Sequence, residues 1–98
     1  MESISPKNVP AGAQLIDVRE NDEWAAGHAR GAIHIPLGEL SDRLKEIDPG
    51  KDIYLICHSG GRSAQAGQYL EAALGWDVIN VEGGTQAWRA DGLAIDVD

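Results

Sequence analysis

The sequence predicts an α/β fold: a parallel β-sheet covered by helices on both faces. Three observations predict it. Short runs of branched apolar residues alternate along the chain with segments of helical spacing. Glycine and proline mark the boundaries between them. The run Ile53 to Cys57 is apolar at every position, the pattern of a strand buried on both faces.

The elements follow in order. Ser3 to Ser5 supplies an edge strand, with Pro6 starting what comes next. Leu15 to Val18 is a compact run rich in branched residues, which predicts a second strand. Glu20 or Asn21 caps a short helix carrying Trp24, Ala25 and Ala26, and Gly27 ends it. Ala32 to Ile35 reads as a third strand, closed by Pro36. Leu37, Leu40 and Leu44 have helical spacing, so a helix is expected from Gly38 to Ile47, stopped by Pro49 and Gly50. Ile53 to Cys57 is the central strand. Ser63, Ala66, Leu70, Ala73 and Leu74 then share one helix face, with Gly75 at its C-terminal end. Val78 to Val81 is the last strand, and Gly83 and Gly84 precede a final helix with Ala87 and Trp88.

The length of 98 residues suits one domain over residues 1–98. No apolar run approaches the roughly 20 residues that span a bilayer, and the first residues lack a basic-then-apolar leader. A cytoplasmic location without membrane contact is therefore expected. Eight Lys and Arg against sixteen Asp and Glu give a net charge of −8, which argues against nucleic acid as a partner. The acid reads as a solvated surface. No sequence feature predicts an interface, so a monomer is expected. Cys57 is the one cysteine, so an internal disulfide, a Cys-x-x-Cys pair and a multi-thiolate zinc site are excluded. His28, His34 and His58 are too scattered to predict a metal site.

The segment Cys57-His58-Ser59-Gly60-Gly61-Arg62-Ser63 carries the chemistry. It leaves a buried strand and enters a helix within six residues. A thiol there faces a helix N-terminus, whose unpartnered N–H groups and dipole favour a thiolate. Gly60 and Gly61 permit a tight turn and leave the backbone accessible. Successive N–H groups of such a loop converge on one anion. Arg62 adds a fixed positive charge and a planar fork for an oxyanion. Taken singly, a cysteine is commonly a small buried hydrophobe, Gly-Gly a turn and an arginine a surface charge. The conjunction, four residues between Cys57 and Arg62 at a strand-to-helix junction, points to a cradle for a reactive sulfur. In parallel sheets, sites form beyond the carboxyl ends of the strands, where Asp17, Arg19 and Cys57 fall.

Four blocks in order make the sequence resemble the rhodanese-like sulfurtransferase family in its single-domain form. They are Asp17-Val18-Arg19 with Glu23-Trp24; Gly27-His28 with Gly31 to Pro36; Cys57 to Ser63; and Val81 to Gly84 with Ala87-Trp88. The resemblance covers about residues 3–92. Ala29 stands where the family often has an apolar residue after Gly-His, and Asn21 where it often has Pro. The resemblance implies a three-layer α/β/α sandwich around a five-stranded parallel sheet of strand order 3-2-4-5-1. That order sets the strand ending in Asp17 beside the strand ending in Cys57. Asp17 is then either a buried structural acid tying loop N–H groups together or a participant in the chemistry. Arg19 reads as structural, paired with a nearby acid. His28 reads as a satisfied structural histidine, and Trp24, Trp76 and Trp88 as packing residues.

The resemblance implies a sulfurtransferase that needs no metal or organic cofactor. Cys57 thiolate attacks the sulfane sulfur of thiosulfate or another donor, sulfite leaves, and Cys57 carries a persulfide. The loop from His58 to Ser63 holds the terminal sulfur, and Arg62 orients the donor's anionic group. Without a second cysteine, the acceptor is an outside thiol, a sulfur-carrier protein or, in an assay, cyanide. Two other readings stand beside it. Cysteine phosphatases and arsenate reductases resemble Cys-x5-Arg, one residue longer than this loop, which is too tight to surround a tetrahedral phosphate while leaving in-line attack possible. A rhodanese-like domain also serves as a non-catalytic interaction or persulfide-carrier module, since fold alone does not fix function.

Overall fold

A computed structural model describes residues 1–97. Strands β1 (Glu2–Ile4), β2 (Gln14–Asp17), β4 (Ile33–His34), β5 (Ile53–Ile56) and β6 (Val78–Val81) form one sheet in the order β1-β6-β5-β2-β4. Every pairing in it is parallel. Numbered among themselves and read from the β4 edge, these strands give 3-2-4-5-1, as the resemblance implied. A second, two-stranded antiparallel pair joins β3 (His28–Ala29) to β7 (Ile95–Asp96). Nothing in the sequence predicted it, because two-residue strands carry no periodicity.

Side chains alternate across the sheet with period two, and the two faces bury different clusters. Ile16, Ile53, Leu55, Cys57 and Val78 pack with Ala66 and Leu70 of helix α2 (Gly61–Leu74). Leu15, Tyr54, Ile56 and Val81 pack with Trp88 of helix α3 (Gly84–Ala90). Helices thus cover both faces, and the β5 run alternates between the two cores. The short helix α1 (Asn21–Ala25) starts with a capping box in which the side chains of Glu20 and Glu23 each accept a backbone N–H of the other's end.

The segment expected to be a helix from Gly38 to Ile47 is instead two 3-10 turns, Leu37–Asp42 and Leu44–Glu46. Arg43 separates them at φ −121° and ψ 22°. Leu37 and Leu40 lie three apart, which suits three residues per turn as well as an α-helix, and Gly38 is a weak α-helix former. The expected strand Ala32–Ile35 contracts to Ile33–His34 at the sheet edge.

Candidate active site

Strand β5 ends against the start of α2, and Cys57 sits in the junction, 1% exposed. Gly60 caps α2 at φ +111°, a left-handed conformation that reverses the chain within the loop. The turn brings the Gly60 N–H to 3.0 Å from Cys57 Sγ. Ser63, on the first turn of α2, sets its Oγ 3.3 Å from the same sulfur. Burial pushes the Cys57 thiol up. The backbone N–H groups of Ser63, Gly60 and Ser59 pull it down, as the Ser63 hydroxyl does when its proton turns to the sulfur, and the net direction is below the ordinary thiol value.

The backbone of Cys57 is fixed from the opposite side. Thr85 donates to the Cys57 carbonyl twice, from its N–H at 2.7 Å and its Oγ1 at 2.9 Å. Gln86 N–H donates to the His58 carbonyl at 3.0 Å. This contact requires Gly84: at φ +58°, a Cβ there would run into the carbonyls of Cys57 and His58. The Gly83-Gly84 pair is therefore a docking point for the Cys57–Ser63 loop as well as a helix start.

Arg62 does not point an unoccupied fork at the loop. Its Nη1 and Nη2 donate to the two carboxylate oxygens of Glu23 at 2.6 and 2.7 Å. The Arg62 hydrogen bond holds the Glu23 carboxyl down at about 2, against burial, with help from the Glu20 N–H and the charges of Arg62 and Arg19. The same pairing raises Arg62. The expectation that Arg62 serves the donor's anionic group thus meets a competitor, since end-on pairing with Glu23 uses two of its N–H groups.

Asp17 and Cys57 do end adjacent strands, yet their side chains leave opposite faces. Asp17 is in register with Ile56, whose side chain joins the α3-side core, while Cys57 joins the α2-side core. Asp17 is fully buried and accepts from the Arg19 N–H at 2.9 Å, from Nε at 3.0 Å and from Nη2 at 2.8 Å. Arg19 Nη2 also donates to the Gly27 carbonyl at 2.8 Å. The pair fastens the end of β2 to the segment after α1. His58 and Ser59 are exposed on the loop. His58 lines a cavity of about 370 Å³ with Arg19, Glu23, Gln86 and Arg89. A larger cavity of about 510 Å³, lined by Val9, Leu15, Trp88 and Leu93 among others, includes none of the loop. His28 is buried, its Nδ1 3.0 Å from the Trp24 carbonyl and its ring stacked on Trp24.

Three residues escaped the sequence reading. Glu23 was seen only within a motif block. Thr85 follows Gly-Gly without any signal of its own. Asn80 had one: it is the single polar residue of the strand VINV. It is 9% exposed, and its Nδ2 donates to the Gly60 carbonyl at 3.2 Å while its Oδ1 accepts from the Ser63 hydroxyl. No group of three or more His, Cys, Asp or Glu among the described residues is placed to hold a metal ion. No helix among them is long and apolar enough to cross a membrane.

The family model for the rhodanese-like domain matches residues 5–91. The chain is 34% identical over 79 residues to the thiosulfate sulfurtransferase GlpE of Pseudomonas putida, covering 81% of this chain and 72% of that one. It is 42% identical over 74 residues to a Bacillus subtilis protein named "Putative sulfur carrier protein YrkF". That match covers 76% of this chain and spans 40% of the relative's own length. The crystal structure of a rhodanese-related protein from Thermoplasma volcanium superposes with a TM-score of 0.91 at 32% identity, over 100% of both chains. With the loop geometry, the sheet order and these likenesses in agreement, the chain belongs to the rhodanese-like domain family.

Proposed function

We propose that the domain is a sulfurtransferase that carries sulfane sulfur as a Cys57 persulfide. The observation that supports this most directly is the sulfur's position: Gly60 N–H lies 3.0 Å from Sγ at the start of a 14-residue helix. The thiolate formed there attacks the outer sulfur of a donor such as thiosulfate. The sulfur–sulfur bond to the sulfonate breaks and sulfite takes the electron pair. The persulfide's terminal sulfur keeps one negative charge, which the loop N–H groups are oriented to accept. A thiol, a sulfur-carrier protein or cyanide then takes that sulfur and returns Cys57 as thiolate. Its lone thiol suits the reducing cytoplasm. The name of the Bacillus relative favours a second reading, a carrier loaded by another protein, which uses the same persulfide.

Intact-mass measurement tests both. The reduced protein is treated with thiosulfate, then with cyanide, beside a Cys57→Ser variant. The expected result is one added sulfur on the native protein alone, removed by cyanide as thiocyanate. Loading by a persulfide donor but not by thiosulfate would favour the carrier. No loading by either would leave an interaction module.

A further inference from the structure

Three acceptors surround the Ser63 hydroxyl: Cys57 Sγ at 3.3 Å, the Gly60 carbonyl at 3.2 Å, and Asn80 Oδ1, the shortest contact of the three. A hydroxyl has one proton, so it serves one acceptor at a time. The Asn80 amide decides which. Its Nδ2 donates to the Gly60 carbonyl at 3.2 Å. Turning the amide over would set Oδ1 against that carbonyl, acceptor to acceptor. Oδ1 therefore faces Ser63, and two oxygens at that separation need a proton between them. The Ser63 proton lies on the line to Asn80. What Ser63 Oγ then presents to the sulfur is a lone pair, which suits an S–H donor and repels a thiolate.

From these contacts we infer that Asn80 is a positioning residue for Cys57: by holding the Ser63 hydroxyl proton, it withholds one hydrogen bond from the thiolate and sets the pH at which the nucleophile forms. The hydroxyl's pull on the thiol is available only when the proton swings away from Asn80. The backbone N–H groups of the loop are permanent, so the site combines a fixed anion cradle with one conditional donor. All three members are buried, with Ser63 fully so, and water does not substitute for the contested proton. The inference rests on the proposed function only in taking Cys57 as the reacting thiol.

The charged groups on the elements packed against the loop are Arg62 from α2, Glu23 from α1 with Glu20 at its cap, the Asp17–Arg19 pair at the end of β2 with Asp17 on the opposite face, and His58 on the loop itself. From β6 and α3 the facing groups are Asn80 and Thr85, which carry no charge. Substituting Asn80 leaves every charge in place, so a changed thiol titration reads the hydrogen bond.

The test titrates Cys57 by thiolate ultraviolet absorbance and by its alkylation rate with iodoacetamide across pH. The chain's single thiol makes both readings specific. Asn80→Leu keeps the branched shape and removes the acceptor, and Asn80→Ala removes it without added bulk. The midpoint is expected to fall by about one pH unit in either, about tenfold more thiolate below the midpoint. Ser63→Ala alone is expected to shift it by less than about 0.3 unit, because the hydroxyl was not donating to sulfur. In a Ser63→Ala background the Asn80 substitution is expected to do nothing. An unchanged or raised midpoint in the Asn80 variants overturns the inference, and so does an Asn80 effect that persists without Ser63. A rise of about one unit or more in Ser63→Ala overturns it as well, and decides the matter even if neither Asn80 variant folds. Thiol titration is independent of sulfur loading. A protein that titrates as expected but never acquires sulfur would leave the inference standing and remove the proposed function.

Discussion

Glu23 and Arg62 join α1 to the first turn of α2 through two parallel hydrogen bonds of 2.6 and 2.7 Å, each partner about one third exposed. The pair sits at the end of the Cys57–Ser63 loop, so it bears on both stability and charge. The Glu23 carboxyl, held at about 2, lies below its unfolded value of about 4.5. A depressed carboxyl stabilises the folded state above the unfolded value, and that stability is lost as pH falls through the folded one. Glu23→Gln is therefore expected to cost about 1 kcal/mol at neutral pH, after solvent screening of a partly exposed pair. The difference from the native protein should close between pH 4.5 and about 2. Urea unfolding at several pH values measures this. A difference that stays constant down to pH 2 would mean that the carboxylate charge is not what stabilises the contact.

The same pair sets what Arg62 offers an anion. With Glu23 neutralising it, the guanidinium attracts a donor such as thiosulfate less than a lone arginine would, and the chain's charge of −8 gives no help at long range. Glu23→Gln is expected to lower KM for thiosulfate by about threefold at low salt, with the gain fading at high salt. Arg62→Ala is expected to raise KM for thiosulfate more than for an uncharged sulfane-sulfur donor such as a neutral organic trisulfide. Steady-state kinetics with both donors reads the ratio. Equal losses would confine Arg62 to holding the loop against α1.

The architecture was legible in the sequence because its signals are local. The fully apolar Ile53–Cys57, the helix face from Ser63 to Leu74 and the glycines at Gly60 and Gly75 each act within a few residues. The strand-to-helix turn from Cys57 to Ser63 was legible for the same reason. What stayed hidden depends on distance in sequence. Glu23 and Arg62 are 39 residues apart, and Thr85 reaches Cys57 across 28. Spacing carries no trace of such pairs. The segment after Pro36 misled because Leu37 and Leu40, three apart, fit three residues per turn as well as 3.6, and Leu44 belongs to a second turn beyond Arg43.

Gly84 tests whether α3 fixes the loop. Gly84→Ala forces a Cβ against two carbonyls and strains a left-handed φ of +58°. It is expected to cost more than about 2 kcal/mol and to slow persulfide loading in the folded fraction. Gly12→Ala is the control: its φ is +77°, with nothing within 4 Å of an added Cβ. That substitution carries the backbone term alone, about 1 kcal/mol. Denaturant midpoints compare them, and equal costs would mean that the close approach at Gly84 relaxes without consequence.

Asp17 separates structural from chemical duty. It is fully buried, as Arg19 nearly is, and the Asp17 carboxylate accepts from the Arg19 backbone N–H, from Nε and from Nη2. Removing one charge strands the other in a place where water cannot reach it. Asp17→Asn is expected to cost about 3 kcal/mol, and the paired change Asp17→Leu with Arg19→Met less than either single change. Because the Asp17 side chain leaves the sheet on the face opposite Cys57, its loss should act through stability alone. Folded Asp17→Asn at low temperature is expected to acquire sulfur at a rate within about threefold of the native protein. Intact-mass time courses on protein shown folded by circular dichroism measure that rate. A folded variant that loads a hundred times more slowly would place the Asp17 charge in the chemistry, acting across the strand end despite the direction of its side chain.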